Sequence, residues 1–257
     1  NSTGTTSFGS TLTTASGITQ DNGAGAITFK GDVTTGAGDT VTTLNANVVL
    51  DGLTFAANGA ITFGNTATDT VVLSGGDVTI NTTSNDLTFN SVVSGAFDLI
   101  LGVAGVTVFN AAVGGGTPIG DGTGPALTIN STGTTSFELS VAIASGITQA
   151  NGAGEITFKE NVTIGAGNTA TTLNGNVVLD GLTFASDGDV TFGNAATDTV
   201  VFSGDTVTIN TTGVGDDLTF NSIVDGSLDL ILGVTGATVF NAAVGGVTPI
   251  GDSTGPG

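Results

Sequence analysis

Residues 86–115 read DLTFNSVVSGAFDLILGVAGVTVFNAAVGG, and residues 217–246 read DLTFNSIVDGSLDLILGVTGATVFNAAVGG. Within each copy, apolar and polar residues alternate in short runs, as in Asp86-Leu-Thr-Phe89 and Gly105-Val-Thr-Val108. A period of two marks strands with one face turned inward. Ala26-Ile-Thr-Phe29 and Asp77-Val-Thr-Ile80 repeat the pattern elsewhere. Clusters of Gly, Asn and Asp separate the runs and supply the φ > 0 conformations of tight turns. No long stretch carries an apolar stripe at helical spacing.

The duplication extends over the whole chain. NSTGTTSF stands at residues 1–8 and 130–137, SGITQ at 16–20 and 145–149, and NVVLDGLTFA at 47–56 and 176–185. The offset is 129 up to Thr83 and 131 from Asp86, after a two-residue insertion near residues 213–215. Of 124 positions aligned this way 93 are identical, so residues 1–129 and 130–257 must share one fold.

A finer period lies inside each copy. Phe8, Phe29, Leu50, Leu73, Phe89 and Phe109 anchor successive β-like runs, and Phe137, Phe158, Leu179, Phe202, Phe220 and Phe240 do so in the second copy. Six anchors per copy predict about twelve coils of about 21 residues. A unit that short cannot bury its apolar face alone, and stacking equivalent coils buries it. The expected fold is therefore an all-β solenoid, its strands hydrogen-bonded along the axis at ~4.8 Å per coil. A β-sandwich array is the alternative and requires a linker between units. None is visible, since GPALTIN at residues 124–130 runs straight into the second copy.

Asn90, Asn110, Asn221 and Asn241 each follow an anchor Phe, and suit either a ladder of stacked amides or a strand edge. Asn1 opens within the repeat pattern and Gly257 aligns with Ala126. The expectation is a segment of a longer repeat polypeptide, or a subunit stacking head to tail with itself.

Composition narrows the function. The formal net charge is −20, with Lys30 and Lys159 the sole basic side chains. Nucleic acid and anionic lipid are poor partners for such a surface. No apolar run is long enough to span a bilayer, so no membrane insertion by this segment is expected. An acidic surface suits a secreted, salt-exposed protein or one that gathers divalent cations. Cys and His are absent, which removes the usual thiol nucleophile and imidazole base. Two equivalent Lys about 129 residues apart make no basic cluster, and a sugar site would want aromatic platforms where this chain has no Trp or Tyr. No enzyme activity is expected and no cofactor is required.

Calcium is the best ligand candidate, since it takes carboxylate and carbonyl oxygens. Asp51, Asp121, Asp180, Asp216, Asp217 and Asp252 sit in turn-like acidic sequences. None of these matches an EF-hand loop or the glycine-rich calcium nonapeptide, and Asp beside Gly is also an ordinary turn residue. Asn-x-Ser/Thr triplets begin at Asn1, Asn81, Asn130, Asn161 and Asn210. An ice-binding face would need a Thr-x-Thr array, but Thr11-Leu-Thr13 becomes Ser140-Val-Ala142 in the second copy.

The two 30-residue runs quoted at the outset resemble the β-strand repeats of giant bacterial surface proteins, in the style of filamentous-haemagglutinin and autotransporter-passenger adhesins. The resemblance covers essentially the whole chain. It implies a right-handed parallel β-helix, an extracellular or cell-surface location, and a role in adhesion, surface coating or fibre formation. Host surfaces or glycans are the partners it implies beyond the chain itself. The secretion domain and membrane barrel of such proteins are not among these residues.

Overall fold

The computed structural model describes residues 2–36, 38–165 and 167–251. They form a right-handed parallel β-helix of 31 short strands, with no helix among them. Every named strand pair is parallel, because each strand lies on its counterpart one coil away. The chain visits three sheets in turn. The first begins at Thr6–Phe8, the second at Leu12–Thr14 and the third at Thr19–Gln20. The second sheet holds eleven strands in sequence order, ending at Thr238–Phe240, and so counts about eleven coils. At ~4.8 Å per coil the rod is about 50 Å long.

The alternating sequence explains each strand. In Ile27–Phe29 the outer two side chains are buried and the middle Thr28 is half-exposed, and most three-residue strands repeat this. Corners demand small residues because the coils are close. A Cβ on Gly133 would lie 1.8 Å from the carbonyl oxygen of Gly105, one coil away. At Gly64, φ is +72° and a Cβ would lie 2.6 Å from the Cβ of Ser91.

The coil count corrects the expected twelve. Phe8, Phe29, Leu50 and Leu73 are successive residues of one column in the first sheet. Phe89, however, lies in the third sheet, on Phe63 and Phe109. The step from Leu73 to Phe89 therefore covers two-thirds of a coil, not a whole one. The step from Phe202 in the third sheet to Phe220 in the second does the same. Coils also vary in length, from 19 residues (Leu44 to Phe63) to 28 (Phe109 to Phe137).

As a result, one repeat unit is not a whole number of coils. Thr6–Phe8 and its equivalent Thr135–Phe137 are separated by seventeen strand positions, counting the single-residue bridge of Val113 to Val93 and Val141. At three positions per coil this is five and two-thirds coils. The first strand of unit one lies in the first sheet, and its equivalent in unit two lies in the third. The second unit is thus the first one advanced along the axis and turned by a third of a turn. The boundary between units is continuous: Thr107–Phe109 pairs with Thr135–Phe137, and Leu99–Val103 with Leu127–Ile129.

Twelve of the fourteen phenylalanines form one unbroken chain of ring contacts from Phe8 to Phe240. Rings on one sheet stack nearly parallel, as at Phe89–Phe109 (4.6 Å, 6°) and Phe109–Phe137 (4.8 Å, 9°). The chain changes sheet through edge contacts at Phe55 and again at its repeat equivalent Phe184. Both geometries are preferred by aromatic quadrupoles. Val, Ile and Leu columns fill the rest of the interior. Two glutamines are also buried there and satisfied: Gln149 donates to the Gly154 carbonyl (2.7 Å) and accepts from the Gly175 N–H (2.9 Å), and Gln20 bonds Gly25 and Ala46 likewise.

Candidate functional site

The surface carboxylates and amides sit mostly at coil corners, where Asp and Asn are favoured turn residues. Their acceptor oxygens point along the axis to the next coil. Asp32 accepts from the Thr54 N–H (2.9 Å), Asn47 from Thr70 (2.9 Å), Asp86 from Val106 (2.8 Å) and Asn176 from Thr199 (3.0 Å). Each of these N–H groups opens or precedes a strand, so the corner side chain tethers the start of the strand above it.

The six aspartates singled out as calcium candidates divide among such tasks. Asp51 accepts from Ser74 Oγ (3.2 Å), and Asp180 from Ser203 Oγ (3.0 Å). Asp216 is buried and accepts from the Gly188 N–H (2.9 Å), while neighbouring Asp217 accepts from the Ala237 N–H (2.6 Å). Asp121 closes its own turn by accepting from the N–H (2.7 Å) and Oγ1 (2.6 Å) of Thr123, and these bonds hold its carboxyl below the usual carboxylate range. Asp252 lies outside the described residues. Among the described residues no group of three or more His, Cys, Asp or Glu is arranged to hold a metal ion.

One acidic column stands out. Asp77 accepts from the Asp98 N–H (3.2 Å), and Asp98 accepts from the Asp121 N–H (3.4 Å), one aspartate per coil. Burial pushes Asp98 up to about 6, with the charges of Asp77 and Asp121 adding to the rise. Sequence spacing did not reveal this column, because the three residues are 21 and 23 positions apart in coils of unequal length.

The lysines differ. Lys159 pairs with Glu138 (2.7 Å), and this bond, with a second from Ser136, holds Glu138 below its ordinary value. At the position equivalent to Glu138, the first unit has Gly9 beneath Lys30. The asparagines form two short ladders, with Asn110 donating to Asn90 and Asn241 to Asn221, both at 2.8 Å.

Two surfaces lack such built-in partners. A half-exposed threonine column runs up the outside of the second sheet through Thr128, Thr148, Thr172, Thr191 and Thr219. Its members from Thr148 to Thr219 have repeat equivalents in Thr19, Thr43, Thr62 and Thr88, which stack likewise on the third sheet, and uneven coil lengths hide both columns in the sequence. The second surface is the last described coil, where Ile231, Phe240 and Val244 are 52%, 39% and 51% exposed.

Comparison with known proteins finds no matching family model, no similar curated protein and no similar solved structure.

Proposed function

We propose that this chain is a structural and adhesive segment of an extracellular or cell-surface fibre, working as a stiff rod and not as an enzyme. The observation that carries the reading is the uninterrupted core. Axial strand pairing and the phenylalanine chain pass the unit boundary at residue 130 without a break, so load along the rod is shared by three parallel ladders. The corner carboxylates are committed to backbone bonds between coils, which suits a scaffold better than a reaction centre. An exterior of net charge −20 keeps such a rod hydrated and apart from its neighbours. The resemblance of its repeats to those of bacterial adhesins supports the adhesive part.

Immunoelectron microscopy of the producing cells tests this, with and without a chelator. Thin filaments outside the cell, labelled along their length, are the expected result. Label confined to the cell interior would overturn the reading. Loss of the filaments on chelation would add calcium as a clamp.

The threonine column favours a second reading, a binding module for ice or a carbohydrate surface. One hydroxyl and one methyl recur per coil along one sheet, which matches an extended ordered surface better than a soluble ligand. Thermal hysteresis or selective glycan-array binding, lost in Thr148→Tyr and Thr172→Tyr variants, would favour it over the scaffold.

A further inference from the structure

A shallow cleft of about 190 Å³ opens where the second sheet turns toward the third, across three successive coils of the first unit. The strands Val33–Thr35, Thr54–Ala57 and Val78–Thr82 end there. Their register stacks Thr34, Ala56 and Asn81 in a column open to solvent, and Thr35, Ala57 and Thr82 in the buried column beside it. Two alanines on the middle coil, with longer side chains on the coils below and above, leave a notch one coil high. Asn58 and Thr83 complete its wall at the corner.

The lining holds no ionisable side chain, and its polar groups are hydroxyls and amides. Some of these are committed to the fold. Thr83 Oγ1 donates to Asn58 Oδ1 (2.6 Å), Thr82 Oγ1 donates to the Asn85 carbonyl, and the Asn58 carbonyl accepts from Asn85 Nδ2 (2.7 Å). Others are open: among the described residues the Thr34 hydroxyl, the Asn81 amide and Asn58 Nδ2 bond to nothing. Thr35 is 3% exposed, and its Oγ1 has no hydrogen-bond partner. Buried polar atoms are paired in the great majority of cases. An unpaired hydroxyl in a residue that lines an open cleft points to a partner from outside the chain.

We infer that this cleft seats one neutral hexose residue at the end or side branch of a glycan. Pockets for drug-sized ligands run to ~300–1,000 Å³, so this one holds a single ring. The ring's CH groups meet the methyls of Ala56 and Ala57, and its hydroxyls meet Thr35, Asn58 and Asn81. Walls on the coils above and below keep a long chain from running through the notch along the axis, so a chain end or branch enters. A neutral lining within a surface of net charge −20 turns away acidic sugars. No aromatic platform stands beside it, so hydrogen bonds carry the affinity, which is in the millimolar range.

The second unit supplies a natural control. At the equivalent place five of the eight lining residues are kept, but Thr35 becomes Ile164, Ala57 becomes Ser186 and Asn58 becomes Asp187. Ile164 removes the buried hydroxyl, and Asp187 brings a carboxylate. The strands there pair as in the first unit, so the fold accepts these residues. Thr35→Ile and Asn58→Asp are therefore substitutions that test binding without breaking the coil. The inference gives the adhesive part of the proposed function its ligand class and rests on that reading only there.

An amide NMR titration of the isotope-labelled full chain tests it, with the methyl glycosides of glucose, galactose and mannose and with a methyl glucuronoside. At least one neutral glycoside is expected to bind saturably, shifting signals around Thr35, Ala57 and Asn81 and not those around Ile164 and Ser186. The glucuronoside is expected not to bind. The double variant Thr35→Ile, Asn58→Asp, checked by circular dichroism, is expected to weaken binding by at least about tenfold, since each change leaves a ligand hydroxyl without its partner. Saturable binding by none of the neutral glycosides would overturn the site, and so would equal binding of the glucuronoside. Binding that survives the double variant would also overturn it, and loss of that binding in Thr148→Tyr would move it to the threonine column. Each of these results leaves the fibre reading to the labelling of cells, which does not depend on a sugar.

Discussion

Phe137→Ala removes a ring at the middle of the rod and of the aromatic chain. Phe137 is fully buried, with Phe109 4.8 Å below and Phe158 5.0 Å above, both nearly parallel to it. Truncating a buried Phe costs ~3–5 kcal/mol, because transfer and cavity terms add. Two stacked partners place Phe137 at the upper part of that range, about 4–5 kcal/mol, since each ring pair contributes ~0.5–1.5 kcal/mol beyond burial. Phe240→Ala is the comparison. Phe240 is 39% exposed and has one stacking partner, Phe220 at 4.9 Å, so about 1–2 kcal/mol is expected. The chain has no Trp or Tyr, so urea unfolding is followed by far-UV circular dichroism, at concentrations where the chain is monomeric. A solenoid's stability is a sum of coil and nearest-neighbour terms, so a mid-rod cavity weakens the coupling between its two halves. Phe137→Ala is therefore expected to lower the midpoint strongly and to split the transition into two. Phe240→Ala is expected to shift the midpoint slightly and leave one transition. Equal effects of the two substitutions would refute the continuous core.

Three further outcomes follow from particular contacts. Asp98 has a folded pKa raised to about 6 from 3.8, so the folded state binds the extra proton and stability falls as pH rises from about 4 to about 6; Asp98→Asn keeps an acceptor for the Asp121 N–H and is expected to flatten that slope and add on the order of 1 kcal/mol at neutral pH, discounted for its exposure to solvent, as thermal melts across pH would report. Gly133→Ala drives a Cβ into the Gly105 carbonyl, and overpacking between coils is expected to cost ~1–3 kcal/mol or more in urea unfolding, whereas Gly152→Ala, with open space around its Cβ but φ of +75°, should cost about 1 kcal/mol. Glu138→Gln removes a partly exposed ion pair with Lys159, so a loss of ~0.2–1 kcal/mol that disappears in high salt is expected from melts at two ionic strengths.

The parts of this fold that depend on a period of two were open to reading from the sequence. Ile27–Phe29 or Leu87–Phe89 announces a strand, and the 93 identities between the copies require one shared fold. The coil count was not so open. Leu73 to Phe89 looks like one more coil, since a Phe in the first sheet and a Phe in the third obey the same local pattern. Nor does sequence show that Val113, between Ala112 and Gly114, bridges two coils by itself. The corner aspartates were visible as turn residues, but their bonds join atoms about 20 to 28 positions apart in coils of uneven length. The Asp77–Asp98–Asp121 column and the exposed face around Phe240 exist only once the coils are stacked.

The non-integral repeat also has a consequence for copy number. Recombination between stretches as alike as these adds or deletes whole units. Such an event would leave the strands paired wherever the new boundary repeats the one near residue 130, where Thr107–Phe109 pairs with Thr135–Phe137. It nonetheless swings everything beyond the event around the axis by a third of a turn. Chains that differ by one unit would therefore present the same strand a third of a turn apart beyond the change, and only a change of three units restores its direction.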